Sequence, residues 1–140
     1  MHRALKFYCD LLGMKKCLLD NVGSGLELDR IVALDNAQLH VVMLELDDGN
    51  CIELLQYLSH PRDRADHVES CDIGCSHIAL EVNDVDTLCK RLEQEGITIN
   101  TPPLVNTNGY AKVTYVHDYD GTIVELVQVL DETKSPYKQD

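Results

Sequence analysis

One nine-residue pattern occurs twice in this chain. Residues 48–56 read DGNCIELLQ and residues 120–128 read DGTIVELVQ. In each copy a glycine stands four residues before a glutamate, apolar residues flank the glutamate, and a glutamine follows three later. Two copies of one turn-and-strand motif within 140 residues confine the chain to a pair of similar units sharing one domain. The second copy is preceded by a strand pattern, a helix pattern and further strands, whereas the first is preceded by a helix and strands only. The chain therefore reads as two βαβββ units, the first without its opening strand.

The remaining punctuation fits this division. Residues 3–12 carry Leu5, Tyr8, Leu11 and Leu12 at helical spacing, with Gly13 as the stop. Residues 14–20 read as a short strand and 23–36 as a loop or short helix. Residues 38–46 and 51–57 read as strands joined by Asp47-Asp48-Gly49-Asn50, a hairpin signal. Residues 76–82 form a strand pattern. Asn83 or Asp84 caps a helix with the stripe Val85, Leu88 and Leu92, stopped by Gly96. A short strand over 98–104, strands over 113–117 and 122–129, and a polar, loose tail complete the second unit. The expected organisation is one domain over 1–140: module one 1–58, linker 59–73, module two 74–130 and tail 131–140.

The gap in the first unit has a measurable size. His77 lies 19 residues before Gly96, but Gly13 has only 12 residues before it. The counterpart of His77 would fall about seven residues upstream of Met1 if the repeat spacing holds. The expectation is that Met1 is an internal methionine of a longer protein. The competing reading is that the short form is native, with the gap covered by a partner chain or by the residues after Leu130.

Charge and composition narrow the partners. A formal net charge of −12 argues against nucleic acid or an anionic membrane surface and suits small-molecule ligands, cationic ones included. No apolar run is long enough to span a bilayer, and residues 1–14 lack a signal-peptide core. The six cysteines form no Cys-x-x-Cys pair and read as reduced thiols of a cytoplasmic protein. Cys71 and Cys75 could bind a metal or pair, but two loop thiols are the simpler reading.

Side chains alternate across a strand. Glu125 therefore shares a face with Ile123 and Val127, while Val124 and Leu126 face a helix. Glu53 repeats this, with Ile52 and Leu54 on the helix side. An unpaired carboxylate in an apolar setting is costly and must be protonated, paired or bound to a metal. His77 lies beside Ala79 on the face opposite Ile78, Leu80 and Val82. Taken singly, each of the three is more often a packed or solvated strand residue than a ligand; the duplication raises the ligand reading. One imidazole and two carboxylates suit a borderline divalent ion with positions left for water or substrate. Weaker candidates are Glu45 as a general base, His40 lining a cavity, Arg62 and Arg64 holding an anionic substrate group, His117 and Lys112 at an entrance, and residues 106–109 as a lid. Each has an ordinary surface alternative, and Tyr8 reads as core.

The segments HIALEVNDVDTLCKRLEQEGI and AKVTYVHDYDGTIVELVQ resemble the second module of the vicinal-oxygen-chelate superfamily, the glyoxalase/bleomycin-resistance/extradiol dioxygenase class. ALKFYCDLLGMK and MLELDDGNCIELLQY resemble its first module. The resemblance spans roughly residues 3–129. It implies an α+β fold in which paired βαβββ modules form a curved mixed β-sheet half-barrel around a metal site. It implies Glu53, His77 and Glu125 as metal ligands and leaves the first-strand ligand of module one without a match. A proline usual in the final hairpin is replaced by Tyr119.

The chemistry implied is chelation of neighbouring substrate oxygens by a divalent metal ion (Zn, Ni, Co, Mn or Fe), with Glu53 or Glu125 also moving a proton. The carboxylate-rich set favours a glyoxalase-like lyase or an isomerase/epimerase, expected as a cytoplasmic homodimer acting on a small substrate. The alternatives are a metal-free drug-binding resistance protein, which the negative charge also suits, and a single-domain extradiol-type dioxygenase.

Overall fold

A computed structural model describes residues 1–61 and 69–137, with the backbone alone described for Cys17 and Leu18. The chain divides into two compact units, Met1–Ala65 and Asp66–Asp140.

The first unit opens with α1, an α-helical turn over His2–Leu5 that continues as π-helix over Lys6–Leu11. The sequence predicts ordinary α-helix here, with Phe7 off the apolar stripe. The structure differs: Leu12 N–H bonds to the Phe7 carbonyl, five residues back, at 3.0 Å. The wider turn lets the adjacent residues Phe7 and Tyr8 both enter the core, where their rings meet edge to face at 4.9 Å.

Strands β1 (Lys15–Ser24), β2 (Gln38–Glu45) and β3 (Cys51–Tyr57) follow. They make one antiparallel sheet in the order β1-β2-β3. Strand β1 runs on past the expected residue 20 through Asn21 and Gly23, poor strand formers that pair with Val41 and Leu39. Cross-strand pairing here outweighs local propensity. The short helix α2, Leu26–Val32, lies between β1 and β2 and buries none of its residues. The core comes instead from Phe7, Tyr8 and Leu11 of α1 and from Ala37, Leu39, Val42 and Leu44.

The second unit runs β4 (His77–Glu81), α3 (Val85–Gln94), β5 (Thr98–Ile99), β6 (Leu104–Val105), β7 (Ala111–His117) and β8 (Ile123–Val129). Its sheet has the order β4-β8-β7-β5, and β6 also pairs with β7. Strand β4 lies parallel to β8, while β7 is antiparallel to it. This arrangement is a βαβββ unit whose first strand returns beside its last. Asp84 caps α3 by accepting from the Thr87 backbone N–H at 3.0 Å. Below α3, Val116, Val124 and Leu126 are fully buried with Leu92 and Val85.

The sequence repeat is also a structural one. Gly49 and Gly121 both adopt positive φ, 85° and 82°, where a side chain would strain the turn. The hairpin Leu46–Asn50 and the hairpin Asp118–Thr122 close with corresponding backbone hydrogen bonds of 2.8 and 3.0 Å. Strand β3 corresponds to β8, but among the described residues it pairs with β2 alone. Among the described residues, no strand of the first unit takes the place that β4 has beside β8. In the segment expected as a tail, Glu132–Lys134 form a 3-10 turn and the Tyr137 ring stands 6.4 Å from that of Tyr110, while residues 138–140 lie outside the described residues.

Candidate functional site

The two faces of the second sheet have different character because strand register sorts them. In β8, Val124 and Leu126 are opposite Val116 and Thr114 of β7 on the α3 side. Glu125 points to the other face, opposite Tyr115 on β7 and Ala79 on β4. His77 lies two positions before Ala79 on β4 and therefore shares that face. Parallel pairing of β4 with β8 brings its Nε2 to 3.2 Å from Glu125 Oε2. Ala79, directly opposite Glu125 on the same face, adds only a methyl beside the pair.

Tyr115 closes one side of this pair, with its ring centroid 5.0 Å from that of His77. Partial burial, and secondarily the charge of Glu125, push the Tyr115 phenol above its ordinary range. It is therefore a neutral hydroxyl at physiological pH, able to donate a hydrogen bond. Sequence reasoning did not single out Tyr115; its signal was the odd-even register that places it directly across from Glu125. His77 is 41 % and Glu125 23 % exposed at the side chain, so the pair is open to a ligand.

Glu53 occupies the corresponding place in the first unit. It lies opposite Met43, while Ile52 and Leu54 lie opposite the buried Leu44 and Val42. The alternation expected from sequence is present, but Glu53 is exposed rather than buried. The desolvation argument made for it from sequence does not hold, because its face of the sheet is the open one. The structure thus brings together His77 and Glu125, and places Glu53 at the repeat-related position of the other unit. Among the described residues, no group of three or more His, Cys, Asp or Glu side chains is gathered that could hold a metal ion.

The pair nevertheless fits part of a metal site. An imidazole nitrogen and a carboxylate oxygen are borderline and hard donors, respectively, and both suit a divalent first-row ion. Two such donors on an ion bound at about 2.0–2.2 Å stand about 2.8–3.6 Å apart for angles between octahedral and tetrahedral, and the observed 3.2 Å lies in that interval.

The other sequence candidates fall elsewhere. His40 Nε2 pairs with Asp20 Oδ1 at 2.7 Å across β1 and β2, and Asp20 also holds Lys16. Lys112 is tied to Asp86 at the start of α3, and His117 Nε2 contacts Asn100 Oδ1 at 2.8 Å. Glu45 ends β2 exposed, opposite Cys51, and Tyr8 is core. Residues 106–109 form a turn tied to the tail by Asn108 Nδ2 donating to the Lys134 carbonyl at 3.3 Å. Cys71 is exposed and Cys75 half-buried, both free thiols. Arg62 and Arg64 lie outside the described residues.

The motif glutamine has a role repeated in both units that sequence reasoning did not find. Gln128 Oε1 accepts from the Val85 backbone N–H at the start of α3 at 3.1 Å, and Gln56 Oε1 accepts from the Met1 amino group at the start of α1 at 3.0 Å. In both units the last strand thus satisfies a donor at the start of the unit's helix. The signal was present in the sequence as a glutamine three residues after each glutamate.

With this geometry established, comparison with known proteins is decisive for the family. The family model described as Glyoxalase/Bleomycin resistance protein/Dioxygenase superfamily matches residues 1–126. The chain belongs to that superfamily. A probable lactoylglutathione lyase from Synechocystis sp. is 27% identical over 128 residues, covering 91% of this chain and 86% of the relative. A glyoxalase family protein from Bacillus cereus has a crystal structure with TM-score 0.83 and 22% identity, covering 94% of this chain and 87% of that one. The trypanothione-dependent glyoxalase I of Leishmania major matches with TM-score 0.59 and 23% identity, covering 91% of this chain and 78% of that one. The two structures establish the superfamily fold. Among the described residues, no helix is long and apolar enough to cross a membrane.

Proposed function

We propose that the chain is a metal-dependent, glyoxalase-like lyase or isomerase acting on a small substrate with neighbouring oxygens. The observation that carries this reading is the His77–Glu125 pair, 3.2 Å apart on the open face of the second sheet. The distant similarity to a probable lactoylglutathione lyase supports the lyase class. In this reading His77, Glu125 and Glu53 hold one divalent ion, within one chain or across a homodimer, in a cytoplasmic protein.

A bound divalent ion would supply Lewis acidity, polarising substrate oxygens. His77 would contribute an imidazole nitrogen to such an ion, and the carboxylates would offset its positive charge. Glu125 or Glu53 accepts a proton from the carbon next to the polarised oxygen and returns it to the neighbouring carbon, the work of a general base. Tyr115, held neutral, donates a hydrogen bond toward a substrate oxygen on the same face. Val127 and Ile123, flanking Glu125, keep the floor of the face apolar.

The test is turnover with and without metal. Metal-stripped protein is assayed on the thiol adduct of a 2-oxoaldehyde after separate addition of Zn, Ni, Co, Mn and Fe(II). The reading expects formation of a 2-hydroxyacyl thioester that depends on an added ion and falls at least about tenfold in His77→Ala. Oxygen consumption with a catechol, confined to Fe(II), would assign the chain to the dioxygenase branch instead. Tight binding of a cationic drug by protein that takes up no metal would assign it to the resistance branch.

A further inference from the structure

The face that carries His77 and Glu125 extends across two further strands. His77 on β4 and His117 on β7 both lie opposite Ile123 of β8. Two strand spacings therefore separate the histidines, roughly 9–10 Å. Val116, next to His117, is fully buried on the α3 side, so His117 turns to the open face with Tyr115. On the far side of β7, Thr98 of β5 lies opposite His117. The Asn100 backbone N–H donates to the Tyr115 carbonyl at 2.9 Å, which holds Asn100 beside β7. Its side chain reaches His117, with Oδ1 2.8 Å from Nε2. Two residues from different parts of the unit thus make one polar group on the sheet.

The hydrogen bond selects a tautomer. Asn100 Oδ1 can only accept, so Nε2 of His117 carries the proton and donates it. The neutral ring then keeps its lone pair at Nδ1, where it accepts. The charges on the face point the same way. The odd-numbered positions of β4, β7 and β8 that share it include Glu81 and Glu125 but no Lys or Arg. Lys112 of β7 turns to the other side and is tied to Asp86. An anionic arm of a ligand would find no cation on these strands, whereas a hydrogen-bond donor would find an acceptor. We propose that His117, oriented by Asn100, is a specificity-determining residue that accepts from a hydroxyl or ammonium group on the arm of the substrate leading away from His77 and Glu125. Placing the reacting oxygens at that pair rests on the lyase reading above; the donor site stands on its own geometry.

The probes are S-methylated 3-mercaptopropanamides whose amide nitrogen carries a 2-hydroxyethyl, a 2-aminoethyl or a carboxymethyl group. Each is titrated into the nitrogen-15-labelled, metal-free chain, and backbone amide signals are followed. The blocked sulfur makes binding readable without turnover. The hydroxyl and ammonium probes should give saturable shifts at Thr98, Asn100 and His117 and bind at least about fivefold tighter than the carboxylate probe. His117→Phe keeps an aromatic ring without an acceptor and should lose that preference. Asn100→Leu frees the ring to present an N–H and should bring the carboxylate probe within about twofold of the hydroxyl probe. Equal or tighter binding of the carboxylate to wild type, or a preference retained in His117→Phe, overturns the inference. So do shifts confined to other residues or the absence of saturable shifts. The zinc-loaded chain is then assayed on the 2-oxoaldehyde adducts of the unblocked hydroxyl and carboxylate thiols. No turnover with the probe preference intact counts against the lyase reading and leaves the donor site standing. Faster turnover of the carboxylate adduct supports the lyase reading and overturns the donor site.

Discussion

His77 and Glu125 stand on neighbouring parallel strands, two register positions apart, with Nε2 3.2 Å from Oε2. This contact joins the first and last strands of one βαβββ unit. It exists because a crossover through α3 returns the chain beside its own starting strand, and because odd-numbered residues of β4 and β8 share one face. Val124 and Leu126, on the opposite face, are fully buried. The open and the buried face of the sheet are thus sorted by residue parity along the same strand.

That sorting predicts opposite consequences for adjacent substitutions. Leu126→Ala should cost about 2–5 kcal/mol through lost burial and the cavity left behind. Glu125→Ala, made in the partly exposed face, should change the stability of metal-free protein by no more than about 1 kcal/mol. Urea unfolding in chelator checks both. Comparable losses in the two variants would show that Glu125 supports the fold rather than a site.

Cysteine reactivity follows burial. The Cys89 thiol, at 4% exposure, is pushed up to about 11 by burial first and by Glu93 and Asp86 next. Cys71 is exposed. At pH 8, iodoacetamide should modify Cys71 in native protein and Cys89 only after denaturation. Peptide mapping that found both labelled at one rate would contradict the packing of α3 on the sheet.

Acid should loosen the α3 N-terminus. The Asp84 carboxyl is held below its ordinary value by the Thr87 backbone N–H, with the Thr87 hydroxyl next. A depressed folded-state value contributes stability above the ordinary carboxyl value of about 3.9 and loses it as pH falls through the folded value. Asp84→Asn keeps a capping oxygen without the titration. Its melting temperature should fall less than wild type's between neutral pH and about pH 3. Parallel curves would mean that the cap contributes nothing to the acid response.

Much of this was legible in the sequence because the repeat is exact where the geometry is strict. Gly49 and Gly121 mark the same turn, and alternation around Glu53 and Glu125 assigns their faces. The division into two α+β units follows from the same spacing. The π-helical geometry of α1 was not legible, since the choice between Phe7 and Tyr8 is made by the core they both enter. Exposure of Glu53 was also hidden, because alternation says which face a residue occupies and not whether that face is covered. Tyr115 carries no motif of its own; only its register against Glu125 gives it a place beside the pair. The glutamines of the repeat were visible, but their role required knowing where each helix begins.

Metal uptake by the isolated chain tests the central claim most directly. Metal-stripped wild type, His77→Ala and Glu125→Ala are each titrated with zinc, and bound metal is counted by elemental analysis after desalting. The account predicts a stoichiometric site in wild type and at least about tenfold weaker binding in both variants, since each removes one donor of a shared ion. Wild-type protein that retains no zinc, or variants that bind it as wild type does, would contradict the account.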